Sequence, residues 1–388
     1  MMLQRAAARA GLAGLLCAAC ATPPADGIQR DDRVIVERVP EGGLVAQALA
    51  DASGTVHIVY VTGDPAAGDI HYVRRDADGR YSDPVQVNDR PGSAVALGSI
   101  RGPQLAIGRA GRIHVVWNGS DAPHSPSHAG MPFYYTRSND AGDGFESARN
   151  LVTWASGVDG GGTVAAGADG RVFAAWHANP DGGPDASRTV FLARSDDDGA
   201  TFAREERISH TELGACGCCG MRALVDSAGA LVVAYRSAGG NVNRDMTLLA
   251  STGRSAAFSS TRLDPWEIEA CPLSSVAMVE GPNGVTAVWE TRGRIRMANV
   301  TPAVGDIVEP GPASDAGQRH PVIARNADGE RLVAWLDGTG WARGGSVVWQ
   351  HFDRAGRPTA SAGAIPGIPP WGLAAVAGVP DGRFLLLY

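Results

Sequence analysis

The chain has 388 residues, 19% of them charged, with a net charge of −7 and ample Ala, Val, Leu and Trp, enough for one large domain or two ordinary ones. Its 51 glycines and 24 prolines call for many turns and leave little room for long helices. No basic block occurs anywhere, which argues against nucleic acid as a partner, because phosphate binding needs clustered cations.

Residues 1–20 read as a targeting leader. Arg5 and Arg9 precede the small apolar run Ala10–Ala19, too short to span a bilayer as a helix. The run ends in Cys17-Ala18-Ala19-Cys20, which resembles a bacterial lipobox with Cys17 where leucine is usual. The resemblance implies acylation of Cys20, with ordinary signal-peptide cleavage nearby as the alternative. Residues 21–32 then form a solvated linker and 33–388 the folded domain. The implied setting is the cell envelope, periplasm or outer membrane, with the N-terminal lipid as the one membrane attachment. That compartment is oxidising.

From Arg33 onward one pattern recurs: apolar strand, short Gly-containing turn, second apolar strand, aromatic. Its copies are Ala46–Tyr60, Gln104–Trp117, Val164–Trp176, Ala223–Tyr235, Val276–Trp289, Val322–Trp335 and Ala374–Tyr388. Aligned on Gly54, Gly111, Gly170, Gly229, Gly284, Gly329 and Gly382, the period is about 45 to 59 residues. The aromatic falls six residues after the glycine in every copy but the fifth, where it falls five after. Short strands and Gly, Asp and Asn turns at this period predict an all-β propeller of four-stranded antiparallel blades. The seventh copy stops after two strands, so a split last blade completed by Arg33–Arg38 predicts seven blades, with six as the alternative.

The third repeat carries Ser195-Asp196-Asp197-Asp198-Gly199-Ala200-Thr201-Phe202, and the second carries Ser138-Asn139-Asp140-Ala141-Gly142-Asp143-Gly144-Phe145. Degraded copies stand at Arg75–Tyr81 and Ser251–Phe258. These resemble the Asp box, Ser-x-Asp-x-Gly-x-Thr-Trp/Phe, of sialidases and related BNR-repeat propellers. The expected role of Ser195, Asp197, Gly199, Phe202, Ser138, Asp140, Gly142 and Phe145 is structural: carboxylate to backbone N–H groups, glycine in the left-handed position, aromatic as plug.

Function in a propeller is expected where connectors enter the inner strands. After the closing aromatics come Asn118, His177, Arg236, Glu290 and Asp337; the connectors add Arg101, Asp159, Arg319, His320 and Trp371. Arg101-Gly102-Pro103 and Arg319-His320-Pro321 place an arginine ten residues before the turn glycine. Sialidases resemble this with an Arg-Ile-Pro arginine that clamps the substrate carboxylate. The resemblance implies substrate binding by Arg101, Arg236 and Arg319, with His320 and His177 nearby, since a guanidinium fork suits a carboxylate. Inter-blade bridges to acids are the alternative for the same arginines. Glu290, Asp245 and Asp337 are the candidate catalytic carboxylates, but Tyr60, Tyr235 and Tyr388 occupy the repeating core position, so the Tyr–Glu pair of a sialidase is not matched. His57 and His114 read as strand residues, and His124 and His128 as part of a surface insertion.

Nothing in the sialidase pattern asks for Cys216-Gly217-Cys218-Cys219 opening the fourth repeat and Cys271 opening the fifth. Three readings stand. Disulfides suit the compartment; a Cys219–Cys271 link closes about 53 residues, worth roughly 4 kcal/mol. A thiolate site for Cu(I) or Zn is the second, with His177 or His320 assisting. A strained Cys218–Cys219 redox pair is the third. The function classes are therefore an exo-α-sialidase-like glycoside hydrolase acting on an acidic glycan, a non-catalytic propeller binding glycan or protein, and a metal-handling or redox lipoprotein, each as a monomer.

Overall fold

The computed structural model describes residues 32–98, 100–120, 131–251, 257–312 and 314–388. The leader with Cys20, nearly all of the linker, the His124/His128 insertion and part of the turn near Ser251 lie outside them.

Seven sheets follow one another along the chain. Blade one is Leu44–Ala50, Val56–Asp64, Ala67–Arg75 and Val85–Gln86. Blade two is Gln104–Ile107, Ile113–Asn118, Phe133–Arg137 and Arg149–Asn150. Blade three is Thr163–Ala166, Val172–Ala178, Thr189–Ser195 and Glu206–Arg207. Blade four is Arg222–Val225, Leu231–Arg236, Met246–Ser251 and Phe258–Asp264. Blade five has three strands, Val276–Gly281, Gly284–Thr291 and Arg294–Asn299, and a lone bridge from Met297 to Val308 in place of the fourth. Blade six is Gln318–Arg325, Arg331–Asp337, Gly345–Phe352 and Pro358–Ile368.

Blade seven closes the ring. Ala375–Gly378 pairs with Phe384–Leu387, and the N-terminal strand Val34–Glu37 adds to the latter. That added strand runs parallel to its neighbour, where the third strand of a continuous blade would run antiparallel. The direction follows from connectivity: Val34–Glu37 must lead into the inner strand of blade one, as an outermost strand does. It therefore takes the third slot with the polarity of a fourth.

All seven aligned turn glycines have φ between 78° and 100°, the left-handed region that glycine enters without a Cβ penalty. Six of the closing aromatics, from Tyr60 to Trp335, are at most 1% exposed. They sit in apolar clusters that join neighbouring blades, such as Phe133 and Tyr135 of blade two with Trp176 and Phe191 of blade three. Their polar atoms explain why tryptophan recurs. Trp117 Nε1 donates to Ser93 O at 3.2 Å, Trp176 Nε1 to Ala155 O at 3.3 Å and Trp289 Nε1 to Asp264 Oδ2 at 2.9 Å, each pinning the segment that enters its own blade. Burying an indole requires such a partner.

The turn at Ser195–Phe202 is held locally. Asp197 Oδ1 accepts from Ser195 Oγ at 2.7 Å and Thr201 N at 2.8 Å, and Gly199 N donates to Ser195 Oγ at 2.9 Å. Phe202 packs edge-on against Tyr135 of the preceding blade, 4.7 Å between centroids. The turn at Ser138–Phe145 differs. There Asn139 receives Asp143 N at 3.3 Å, while Asp140 reaches out to Arg112. Gly199 has φ +79°, and a β-carbon on it would stand 1.7 Å from Tyr135 Oη. Gly199→Ala therefore combines left-handed strain with overpacking, roughly 3 kcal/mol of destabilisation. A urea midpoint unchanged from wild type would contradict this account of the turn.

Candidate metal centre at the connector face

In blades two, three and four the residue following the closing aromatic reaches toward the connector of the next blade. Asn118 Nδ2 donates to Gly160 O at 2.9 Å. His177 Nε2 lies 3.0 Å from Cys219 O, and Arg236 Nε donates to Ser274 Oγ at 2.6 Å. These side chains fasten connectors, and two of them hold the cysteine loops.

Cys216 N donates to Arg236 O at 2.9 Å and Cys219 N to Cys216 O at 3.2 Å, which curls the Cys-Gly-Cys-Cys segment into a turn. Gly220 N donates to Ser274 O at 2.9 Å, so the connectors of blades four and five meet there, as their order in the ring predicts. Gly217 is required by its surroundings. A β-carbon there would lie 2.7 Å from Arg188 Nε, 2.8 Å from Asp159 Oδ2 and 3.0 Å from Asp185 Oδ1.

The turn gathers three sulfurs. Cys216 Sγ is 2.9 Å from Cys219 Sγ and 3.4 Å from Cys218 Sγ, and all three lie within 4.8 Å of one another. Cys216 and Cys219 are buried, Cys218 is half-buried and Cys271 is exposed; all four are free thiols. Cys271 stands outside this group and interacts electrostatically with Cys218. His177 Nε2 is turned to a carbonyl and His320 Nδ1 lies 3.4 Å from Ser275 Oγ, so neither histidine joins the sulfur group.

Cationic groups back the cluster. An ion-pair chain runs Arg101–Asp159 at 2.6 Å, Asp159–Arg188 at 3.9 Å, Arg188–Asp185 at 3.1 Å and Asp185–Arg244 at 3.1 Å, passing beneath Gly217. Burial opposes ionisation of Cys219. Hydrogen bonds from Cys216 and Cys218, then the Arg236 charge, hold its thiol well below the usual range. Its two neighbours, bonded to that sulfur, push the Cys216 thiol up. That direction favours the thiolate at Cys219, and the thiolate is the metal-binding form.

The other residues singled out by sequence have defined partners. Arg101 donates to Asp159 and to Leu97 O; Arg319 donates to Pro272 O at 2.8 Å. Arg236, 1% exposed, gives its donors to Ser274, Arg244 O, Glu290 O and Thr291, and stacks 4.9 Å from the Trp266 ring centroid. Asp245 receives Trp266 N and Asp337 receives Ser314 Oγ at 2.7 Å, both holding loops. Tyr60 does meet a glutamate, its hydroxyl 2.9 Å from Glu41 Oε2. The ring is fully buried, however, and burial with the Glu41 carboxylate drives its phenol upward, the reverse of what a nucleophile needs.

Glu290 is 1% exposed and its Oε2 has no partner. Burial raises its carboxyl to about 7 from 4.5, against the pull of Arg319 and Arg236. Because the folded value lies above the unfolded one, the folded state binds the extra proton between 4.5 and about 7, and stability falls as pH rises through that window. Relative to Glu290→Gln, wild type should lose on the order of 3 kcal/mol across it. Parallel unfolding curves for the two proteins from pH 4.5 to 8 would show the opposite.

No family model and no curated protein matches this chain. Among solved structures it is similar to a protein of unknown function from Dyadobacter fermentans, at TM-score 0.54 and 15% identity over 87% of this chain and 98% of that one. It is also similar to the Hadza microbial sialidase Hz136, at 0.50 and 14% over 80% and 69%. A triple arginine-to-alanine mutant of AofleA from Arthrobotrys oligospora gives 0.51 and 10% over 85% and 91%. At these identities the likeness shows a common propeller fold alone, and the seven blades are read from this chain's own sheets.

Proposed function

We propose that this protein is a cell-envelope propeller, anchored through an acylated Cys20, that holds a thiophilic metal ion on Cys216, Cys218 and Cys219, with Cys271 as an accessible further donor. The observation that carries the reading is the convergence of three sulfurs within 4.8 Å, two of them buried. Thiolate donors select Cu(I) or Zn(II). Three sulfurs without a nitrogen or oxygen donor in the group suit three-coordinate Cu(I); Zn(II) would recruit Cys271 to complete a tetrahedron. Arg236 and Arg244 supply positive charge against the thiolates.

The test is metal and free-thiol content measured together on protein purified anaerobically. One equivalent of Cu(I) or Zn(II) per chain is expected. A protein with neither metal nor free thiols would make the cysteines disulfide staples and remove the proposal.

Glycan recognition is the second reading, favoured by Trp341. This side chain is 58% exposed, and its ring and Arg101 Nη1 lie 3.0 and 3.3 Å from where a β-carbon on Gly98 would stand. An open tryptophan is a platform on which a sugar ring can stack. Saturable binding of a sialoside that Trp341→Ala abolishes would support it.

A further inference from the structure

The central channel contains a cation that the fold does not neutralise. The inner strands enclose about 300 Å³, walled mostly by small apolar residues such as Ala46, Leu105, Val164 and Ala223. Arg222, the first residue of the blade-four inner strand, lines this space. Its Nη1 donates across to Gln104 Oε1 of blade two. Among the described residues no carboxylate pairs with it, and Nε and Nη2 have no protein acceptor. Burial alone acts on its ionisation, drawing the guanidinium down to about 10.

Arg101 also lines the channel, but Asp159 already balances it. The contrast with Arg236 is instructive. That guanidinium is 1% exposed and four acceptors surround it, whereas Arg222 is half-buried and gives a single bond. A guanidinium partly withdrawn from water, with one neutral partner, gains from an anion that completes the site. The two donors Arg222 leaves open, Nε–H and Nη2–H, form the edge that grips a carboxylate bidentately. The rest of the channel lining is mostly apolar.

We propose that the channel binds a small monocarboxylate with a short apolar body, of the kind of hexanoate or benzoate, its carboxylate forked by Arg222 and its body laid against the alanine and leucine wall. The site is separate from the cysteine cluster and stands whether or not the protein carries a metal.

Calorimetric titration of the purified protein with hexanoate, acetate, chloride and hexanol tests this. One saturable hexanoate site is expected, with acetate, chloride and hexanol each at least tenfold weaker, a difference of about 1.4 kcal/mol. Arg222→Met should lose the site, and Arg222→Lys should weaken it because one ammonium cannot form the fork. Hexanoate binding no tighter than acetate or chloride, binding equal to that of hexanol, no binding at all, or full retention in a folded Arg222→Met protein would each overturn the proposal. If Arg222→Met does not fold, the comparison of ligands on wild type decides alone.

Discussion

At the proposed metal site, Cys219→Ser should weaken Cu(I) binding by at least roughly a hundredfold. The expectation follows from the ligand count. Four-ligand thiolate and imidazole sites bind with about 10–16 kcal/mol, so one lost thiolate is worth on the order of 3 kcal/mol. Cys219 is the buried sulfur closest to Cys216 and the one held most readily as thiolate. Cys271→Ser should cost far less, because that exposed thiol stands outside the group of three sulfurs. Competition against a Cu(I) chelator of known affinity measures both. Equal losses in the two variants would mean that Cys271 is a full ligand and that the three-sulfur site is wrong; undiminished binding by Cys219→Ser would remove the site altogether.

Arg236→Ala unfolds the protein at much lower denaturant, with a loss of roughly 3–5 kcal/mol. The guanidinium ties three elements at once: the blade-four hairpin through Arg244 O, the blade-five hairpin through Glu290 O and Thr291, and the blade-five connector through Ser274. Its removal leaves those acceptors buried and deprives Glu290 of a positive neighbour. Arg236→Lys should recover little, since a single ammonium cannot span four acceptors. A substrate clamp would behave otherwise: the variant would keep its urea midpoint and lose only ligand affinity. Unfolding curves separate the two outcomes.

The same residue shows where reading the chain alone runs out. Arg236 stands in the sequence as a candidate carboxylate clamp beside Arg101 and Arg319, and its charge and register suit that role. Whether a guanidinium grips a ligand or a carbonyl depends on which carbonyls the packing of blades brings within 3 Å of it. Asn118 and His177 share its register and turn out to hold Gly160 O and Cys219 O. One signal was available: three chemically different hydrogen-bonding residues at one repeat position point to a recurring tie more than to three parts of one catalytic set. Arg222 carried no such signal, because only closure of the ring makes its position a channel.

The cysteines divide in the same way. Their placement on consecutive connectors brings the two segments together, and the Gly220–Ser274 bond joins those connectors. The pairing within the group is a tertiary matter. A turn closed by Cys219 N to Cys216 O buries Cys219 and leaves Cys218 facing Cys271, an outcome set by backbone curvature over four residues.

What the amino-acid sequence determined by itself was the periodic part of this protein. A glycine whose φ must be positive, followed five or six residues later by an aromatic that is buried in six of the seven copies, is a local demand that each repeat states alone, and seven such statements in register specify a propeller. The tertiary structure decided everything that depends on two repeats at once: the parallel closing strand, the arginines used as ties, the three gathered sulfurs and the unbalanced Arg222. Those contacts join residues tens to hundreds of positions apart, and only the closed ring sets the distances between them.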